Sequence, residues 1–349
     1  MTAEVLIFGA GAVGAFYGSL IAKTGTPISV ICRSNYSAVK SAGFTITSPQ
    51  YGTFNWSPTR VFSSADAARA ANVHWSYIVV TTKALPDVSD DSALLEGLVG
   101  EGTAVVLIQN GIGVEEPYYT RFPAAYVLSA VTIVSASQPA HGKISHNRWT
   151  RINIGPYLPS SSSPSSSSSS SSSLTQREKD AISKTDEFTD LLISGGVKDA
   201  QAYTHQKLQQ VRWHKLAINA SMNPSSVLSN GSTNASMSLD PELSIHLKGV
   251  MEEILHTAPK ILGAPFPPEF ATSERILRST QKNDSGSRPS MWGDWEGGRP
   301  MELEVILGNP IRIAREKGYE MPRMQTLYAL LKMAQRNRDT ARSGGSSKL

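Results

Sequence analysis

Cysteine is almost missing from this chain: of 349 residues, one is a cysteine, Cys32. That excludes an intramolecular disulfide and any zinc site built from two or more thiolates. Long apolar runs are also missing. None approaches the ~18 residues that span a bilayer, so membrane insertion is not expected. Neither sign of charge dominates, with 33 Lys plus Arg against 29 Asp plus Glu and a formal net charge of +4. The basic residues are scattered among acids and not gathered into a stripe, which argues against nucleic acid as a partner. The N-terminus lacks a basic segment and a cleavage site, and Val5 to Phe8 reads as a first strand, not as part of a signal peptide. What is present is core material: 40% of residues are hydrophobic and 18% charged. At roughly 150 residues per domain, the length suggests two domains.

The first half alternates between two periods. Val5–Phe8, Ile28–Cys32, Tyr77–Thr82 and Ala104–Gln109 read as buried strands. Val13–Ala22, Ala65–Ala71 and Leu94–Leu98 read as helical. Strand alternating with helix predicts a parallel sheet with helices on both faces. Helical spacing then dominates in His205–Met222, Leu239–Leu262, Met301–Lys317 and Met324–Asn337. The fold class expected is α/β plus all-α: a Rossmann dinucleotide-binding domain over 1–203, a helical domain over 204–340 and a flexible tail over 341–349. Ser160 to Ser173 is all serine except Pro164. Such a stretch cannot offset its ordering entropy and reads as a disordered insertion at about 159–174 within the first domain. Ile152–Gly155 before it and Gly196–Lys198 after it both look like strand edges.

Gly9-Ala10-Gly11-Ala12-Val13-Gly14 is a GxGxxG motif between a strand and a helix, the context that gives it meaning. Gly9 permits the tight turn, Gly11 lets backbone approach a pyrophosphate, and Gly14 lets the helix pack on the strand. The helix N-terminus supplies free N–H groups and partial positive charge. The second strand ends in Cys32-Arg33-Ser34, where an NAD site has an acid for the ribose 2′-hydroxyl. A guanidinium and a hydroxyl suit the 2′-phosphate of NADP, although an arginine at a strand end is also an ordinary surface residue. Lys83, in Thr81-Thr82-Lys83-Ala84, and Asn110, in Gln109-Asn110-Gly111-Ile112-Gly113, fall at carboxyl ends of strands, where open α/β sheets bind ligands. Lys83 would meet the adenosine end of the cofactor and Asn110 would bridge the nicotinamide ribose and the substrate. Asn-Gly is equally a turn signal.

In the second half, Lys215, Asn219 and Asn223 fall at i, i+4 and i+8, on one helix face. A lysine and two amides make donors for a carboxylate and a carbonyl oxygen. Asn is a poor helix former, so two of them in a row favour a functional reading over a solvated face. Lys215 is the candidate acid: hydride delivery to a ketone creates an alkoxide that a protonated lysine stabilises and protonates.

Together these motifs resemble the ketopantoate reductase (2-dehydropantoate 2-reductase) family over roughly Ala3 to Gln335. A further run carries the resemblance, Ser290-Met291-x2-Asp294-x-Glu296-x-Gly298-Arg299-x2-Glu302. The resemblance implies a cleft between a Rossmann and a helical domain, NADPH-dependent reduction of ketopantoate to pantoate, and Lys215 as catalytic acid. It implies that Asn219, Asn223 and Ser290 bind substrate, that Glu302 is a catalytic acidic residue near substrate and ribose, and that Lys83 and Asn110 contact cofactor. Glu302 would favour the Lys215 ammonium; it is otherwise an exposed first-turn helix glutamate, and Glu304 is its rival.

The family's further substrate-binding asparagine has two counterparts here, Asn230 and Asn234. Pro310 is expected to kink the Met301–Lys317 helix, and Trp292 and Trp295 crowd the Ser290 region. The substrate is accordingly a small 2-oxo acid: ketopantoate, or another branched 2-oxo acid of the 2-ketoisovalerate kind. A non-catalytic NADP(H)-binding sensor or scaffold on the same fold is the reading from another class. No metal is expected, and a homodimer stays open. The chain ends Ser347-Lys348-Leu349, a tripeptide read by the peroxisomal import receptor, with the cytoplasm as the alternative address.

Overall fold

The computed structural model describes residues 3–159, 174–283 and 285–345. The serine run Ser160–Ser173 and the tripeptide Ser347-Lys348-Leu349 lie outside the described residues. The chain divides into two compact units. The first comprises Met1–Lys83, Asp90–Gln109 and Val114–Leu208; the second comprises Gln209–Leu349 together with the short segments Ala84–Ser89 and Asn110–Gly113.

The first unit is built on one sheet. Its elements in chain order are β1 (Val5–Phe8), α1 (Ala12–Ile21), β2 (Ile28–Ile31), α2 (Tyr36–Ala42), β3 (Phe44–Ser48), β4 (Gly52–Trp56) and β5 (Arg60–Phe62). Then come α3 (Ala65–Ala70), β6 (Tyr77–Val80), β7 (Ala104–Leu107), α4 (Glu116–Arg121), β8 (Tyr126–Ala140), β9 (Lys143–Pro156), α5 (Gln176–Ser194) and β10 (Ala200–Ala202). The order across the sheet is β4-β3-β9-β8-β7-β6-β1-β2-β5, with β10 beside β9. From β8 to β5 every pairing is parallel. Numbered in chain order, those six strands run 3-2-1-4-5-6, the dinucleotide-binding arrangement.

Both faces of this parallel part are covered, which is why its strands read as unbroken apolar runs. In β1, Val5 and Ile7 enter one core with Phe16, Leu20 and Phe188. Leu6 and Phe8 enter the other with Trp75, Val105 and Leu107.

The sheet is mixed and not wholly parallel, because β8–β9 and β3–β4 are antiparallel hairpins. The sequence gives little sign of β9: its Ser145, Asn147 and Arg148 are polar, and the apolar Ile144, Ile152 and Ile154 are widely spaced. Ile152–Gly155 lies at the C-terminal end of this long strand, which closes at Pro156. Gly196–Lys198 is a turn closing α5, with the short strand β10 following it. In place of a helix over Leu94–Leu98 there is one 3-10 turn, Ala93–Leu95.

The second unit is helical. α6 (His205–Leu228) enters it at Gln209 and is followed by α7 (Asn234–Leu239), α8 (Pro241–Leu262), α9 (Ser273–Gln281), α10 (Ser290–Glu296), α11 (Asn309–Glu316) and α12 (Pro322–Gly345). The signals for α8 are legible: Asp240 caps the Leu243 N–H at 2.8 Å, Pro241 opens the first turn, and left-handed Gly263 ends it. Its Leu247, Val250, Met251, Ile254 and Ala258 repeat at helical spacing and are buried.

Three outcomes differ from expectation. α6 continues through Pro224 to Leu228. α12 continues to Gly345, into the segment expected as a tail. The single Met301–Lys317 helix is instead a π turn, Glu304–Gly308, leading into α11. Pro310 lies inside one continuous helical run over 303–316, directly after the π turn; its missing N–H leaves the Val305 carbonyl to accept the Ile112 N–H at 2.8 Å, so it interrupts the regular helix there.

Candidate active site

The glycine motif has the geometry its spacing implies. Gly9 has φ +101°, a left-handed conformation, and a Cβ there would lie 2.8 Å from the Thr82 side chain. A Cβ on Gly14 would lie 2.5 Å from Thr81 Oγ1 and 2.7 Å from the Gly9 carbonyl oxygen, so α1 packs against the turn only without one. Gly11 is different: a Cβ there would meet nothing within 4 Å. No side chain caps the N-terminus of α1, and no acid occupies its first turn. Ala10, Ala12 and Val13 complete this turn. An open backbone face at an uncapped helix N-terminus fits a pyrophosphate.

The loop after β2 is tied to this turn. Asn35 is buried and its side-chain N–H donates to the Ala10 carbonyl at 2.8 Å, while the Ala10 N–H donates to the Ile31 carbonyl at 3.3 Å. Arg33 and Ser34 are exposed on that loop, at the carboxyl end of β2. Thr81 Oγ1 donates to the Gly9 carbonyl at 2.5 Å, which fixes the end of β6 against the same turn. Lys83 is exposed two residues further on.

In the helical unit, Lys215 Nζ donates to Asn110 Oδ1 at 2.8 Å. Burial pushes the Lys215 ammonium down to about 8, the Arg212 guanidinium pushes the same way, and the Glu302 carboxylate opposes both. Arg212 is itself buried, one turn before Lys215, and donates to the Gly111 carbonyl at 3.0 Å. The Asn110 loop is therefore held by α6 at two points.

The two rival glutamates have separate environments. Glu302 is buried, 6% exposed, and accepts a bond from the Ala84 N–H at 3.4 Å. It is not the exposed first-turn helix residue of the alternative reading. Glu304 accepts from Tyr328, Lys332 and Arg312. Glu302 alone of the two bears on Lys215.

Asn219 is half-buried and Asn223 buried on the α6 face that carries Lys215. Neither amide hydrogen-bonds another side chain or the backbone among the described residues, which leaves their donors for a ligand. Ser290 opens α10 and is exposed. Asn230 is exposed with φ +56°, a conformation asparagine tolerates, at the end of α6. The Asn234 N–H donates to the Ser287 carbonyl at 3.1 Å, and Asn234 Nδ2 lies 3.5 Å from Ser287 Oγ. Trp292 packs on Gly231, where a Cβ would lie 2.7 Å from its ring.

Residues 5–159 match the family model for ketopantoate reductase PanE/ApbA, and residues 207–335 match the model for its C-terminal part. The chain belongs to the ketopantoate reductase family. An uncharacterized protein of Saccharomyces cerevisiae is 30% identical over 95% of this chain and 93% of its own length. A 2-dehydropantoate 2-reductase of Nostoc is 27% identical over 93% of each. The crystal structure of 2-dehydropantoate 2-reductase from Methylococcus capsulatus is 30% identical, covers 96% of this chain and 97% of its own, and superposes with a TM-score of 0.76. Membership makes the chain an oxidoreductase that uses a nicotinamide dinucleotide, in keeping with the open glycine turn.

Three residues of this family member escaped the sequence reading. They are Arg212, Asn35 and Asn309, none of which belongs to a motif. Asn309 Nδ2 donates to the Ile112 carbonyl at 2.9 Å and so helps shape the Asn110 loop. No local pattern signals such long-range bonds.

Proposed function

We propose that the chain reduces a 2-oxo acid to a 2-hydroxy acid with NADPH, and that the substrate is ketopantoate, giving pantoate. The observation that carries the reading is the Lys215–Asn110 bond with the Lys215 ammonium near 8. A group with that value is charged at neutral pH and still a competent proton donor. When bound, the reduced nicotinamide supplies the hydride. Lys215 donates the proton to the carbonyl oxygen as negative charge develops there, and solvent restores it. Asn110 orients the ammonium. Asn219 and Asn223 offer amide donors to the substrate's carboxylate and hydroxyl along the same helix face, and Ser290 adds a hydroxyl. Glu302 favours the protonated lysine. Arg33, with no acid beside it, supports the 2′-phosphate and hence NADP over NAD.

The test is NADPH oxidation with ketopantoate, 2-ketoisovalerate and 2-ketoisocaproate, with NADH as the control. Fastest turnover of ketopantoate with NADPH is the expected result. Preference for an acid without the 4-hydroxyl would keep the mechanism and change the substrate. Failure of every member despite NADPH binding would sink the reading. Peroxisomal import through Ser347-Lys348-Leu349 is part of the proposal and is tested by removing the tripeptide from a fluorescent fusion. An unchanged distribution would leave the cytoplasm as the address.

A further inference from the structure

The π turn Glu304–Gly308 departs from ordinary helix geometry, since the Asn309 N–H donates to the Glu304 carbonyl five residues back. Such turns are rare and need something to hold them. Here the holder is a carboxylate. Glu304, 7% exposed, accepts from Tyr328 Oη at 2.5 Å and Lys332 Nζ at 2.9 Å through Oε1, and from Arg312 Nη2 at 2.7 Å through Oε2. Arg312 belongs to α11 and the other two to α12, so one side chain ties the turn to two helices. Gly308 leaves room for this: a Cβ there would lie 2.6 Å from Glu304 Oε2.

The other side of the turn carries the Asn110 loop. The Val305 carbonyl accepts the Ile112 N–H at 2.8 Å, and Asn309 Nδ2 donates to the Ile112 carbonyl at 2.9 Å. Gly111, at φ +89°, approaches so closely that a Cβ would lie 2.5 Å from the Val305 Cβ and carbonyl oxygen. The loop is held by residues 305 and 309 on this side and by Arg212 on the other.

We propose that Glu304 is a positioning residue for Lys215: by clamping the π turn to α11 and α12 it fixes Val305 against the Asn110 loop, and with it the Asn110 oxygen that binds Lys215. The proposal rests on the reading of Lys215 as the proton donor. The alternative is that Glu304 only fastens two helices together. Burial by itself would raise the Glu304 pKa, but the bonds from Tyr328, Lys332 and Arg312 outweigh it and hold the carboxyl down to about 2, so the clamp stays charged throughout the working range. The groups facing Lys215 are Asn110, Glu302 and Arg212; those facing Glu304 are Arg312, Tyr328 and Lys332. Loosening the turn draws the Asn110 oxygen and Glu302, two residues before Glu304, away from the ammonium. Both changes disfavour its charge.

The test is Glu304→Gln in the full chain, read by NMR titration of lysine labelled with 13C at Cε, with the Lys215 resonance assigned from Lys215→Arg. The Lys215 midpoint is expected to fall by about half a unit to one unit, with NADPH affinity unchanged. A lower Tm with the midpoint unmoved would overturn the proposal. If Glu304→Gln fails to fold, Tyr328→Phe removes one bond of the clamp; a smaller fall is then expected, and an unmoved midpoint again overturns the idea. The titration does not depend on turnover. A Lys215→Ala variant that kept full activity would refute the proton-donor reading while leaving the midpoint shift to be judged separately.

Discussion

Lys215 donates to Asn110 across 105 residues of sequence, at 2.8 Å, and the partner is an amide, not a carboxylate. A neutral acceptor aims the ammonium without neutralising it. The charge must then be supported by Glu302 against burial and against Arg212, and the balance settles near 8 and not near the usual lysine value. An acid for ketone reduction needs this compromise, charged in use yet not so basic that it holds its proton.

Activity should therefore depend on pH with a defined sign. With Lys215 as the proposed donor, the reductive reaction needs its protonated form, whose value is lowered from 10.5 to about 8. Turnover is expected to be full below that value and to be lost as pH rises through it. Lys215→Ala should cost about 10²- to 10⁴-fold in kcat with NADPH binding retained. A pH profile for the wild type that stays flat to pH 10 would exclude Lys215 as the donor.

Asn110→Asp places a charge where the structure has a neutral oxygen. The anion favours the ammonium, so the alkaline limb of the kcat profile should move up by about one unit or more. Asn110→Ala should move it down. If both variants titrate like the wild type, the 2.8 Å bond does not set the Lys215 charge.

The glycine turn and the polar stripe of α6 were legible because each is local: a motif between a strand and a helix, and three residues at intervals of four. The central parallel strands were legible because burial on both faces leaves continuous apolar runs. The β8–β9 hairpin was not, because much of β9 is polar and its pairing is settled by strands far away in sequence. The choice between Glu302 and Glu304 was not legible either. Glu302 lies two residues before the π turn that Glu304 opens, and long-range partners separate their roles: Arg312, Tyr328 and Lys332 occupy Glu304, while Glu302 accepts from the Ala84 N–H and bears on Lys215.

Arg33 gives a cofactor prediction. It is exposed on the loop that Asn35 ties to the glycine turn, with no acid at the end of β2. Arg33→Asp adds an acid that bonds a ribose hydroxyl and repels a 2′-phosphate. The Kd for NADPH should rise by about tenfold or more while that for NADH falls. Fluorescence titration with both nucleotides decides it; unchanged Kd values would remove Arg33 from the cofactor site.

Gly11 and Gly14 separate two kinds of requirement. A methyl group at Gly14 meets Thr81 Oγ1, the Gly9 carbonyl and the Ile7 side chain within 2.8 Å. Backbone cannot rotate away as a side chain does, so Gly14→Ala should lower stability by about 1–3 kcal/mol and disturb the turn even without ligand. A methyl group at Gly11 meets nothing within 4 Å, so Gly11→Ala should melt like the wild type. Its added carbon would stand on the open side of the turn, where a pyrophosphate must come close to the backbone, and NADPH affinity should fall by about tenfold or more. Thermal melts of both variants with and without NADPH measure the two effects together. Gly11→Ala gaining as much thermal protection from NADPH as the wild type would show that the nucleotide does not approach this turn.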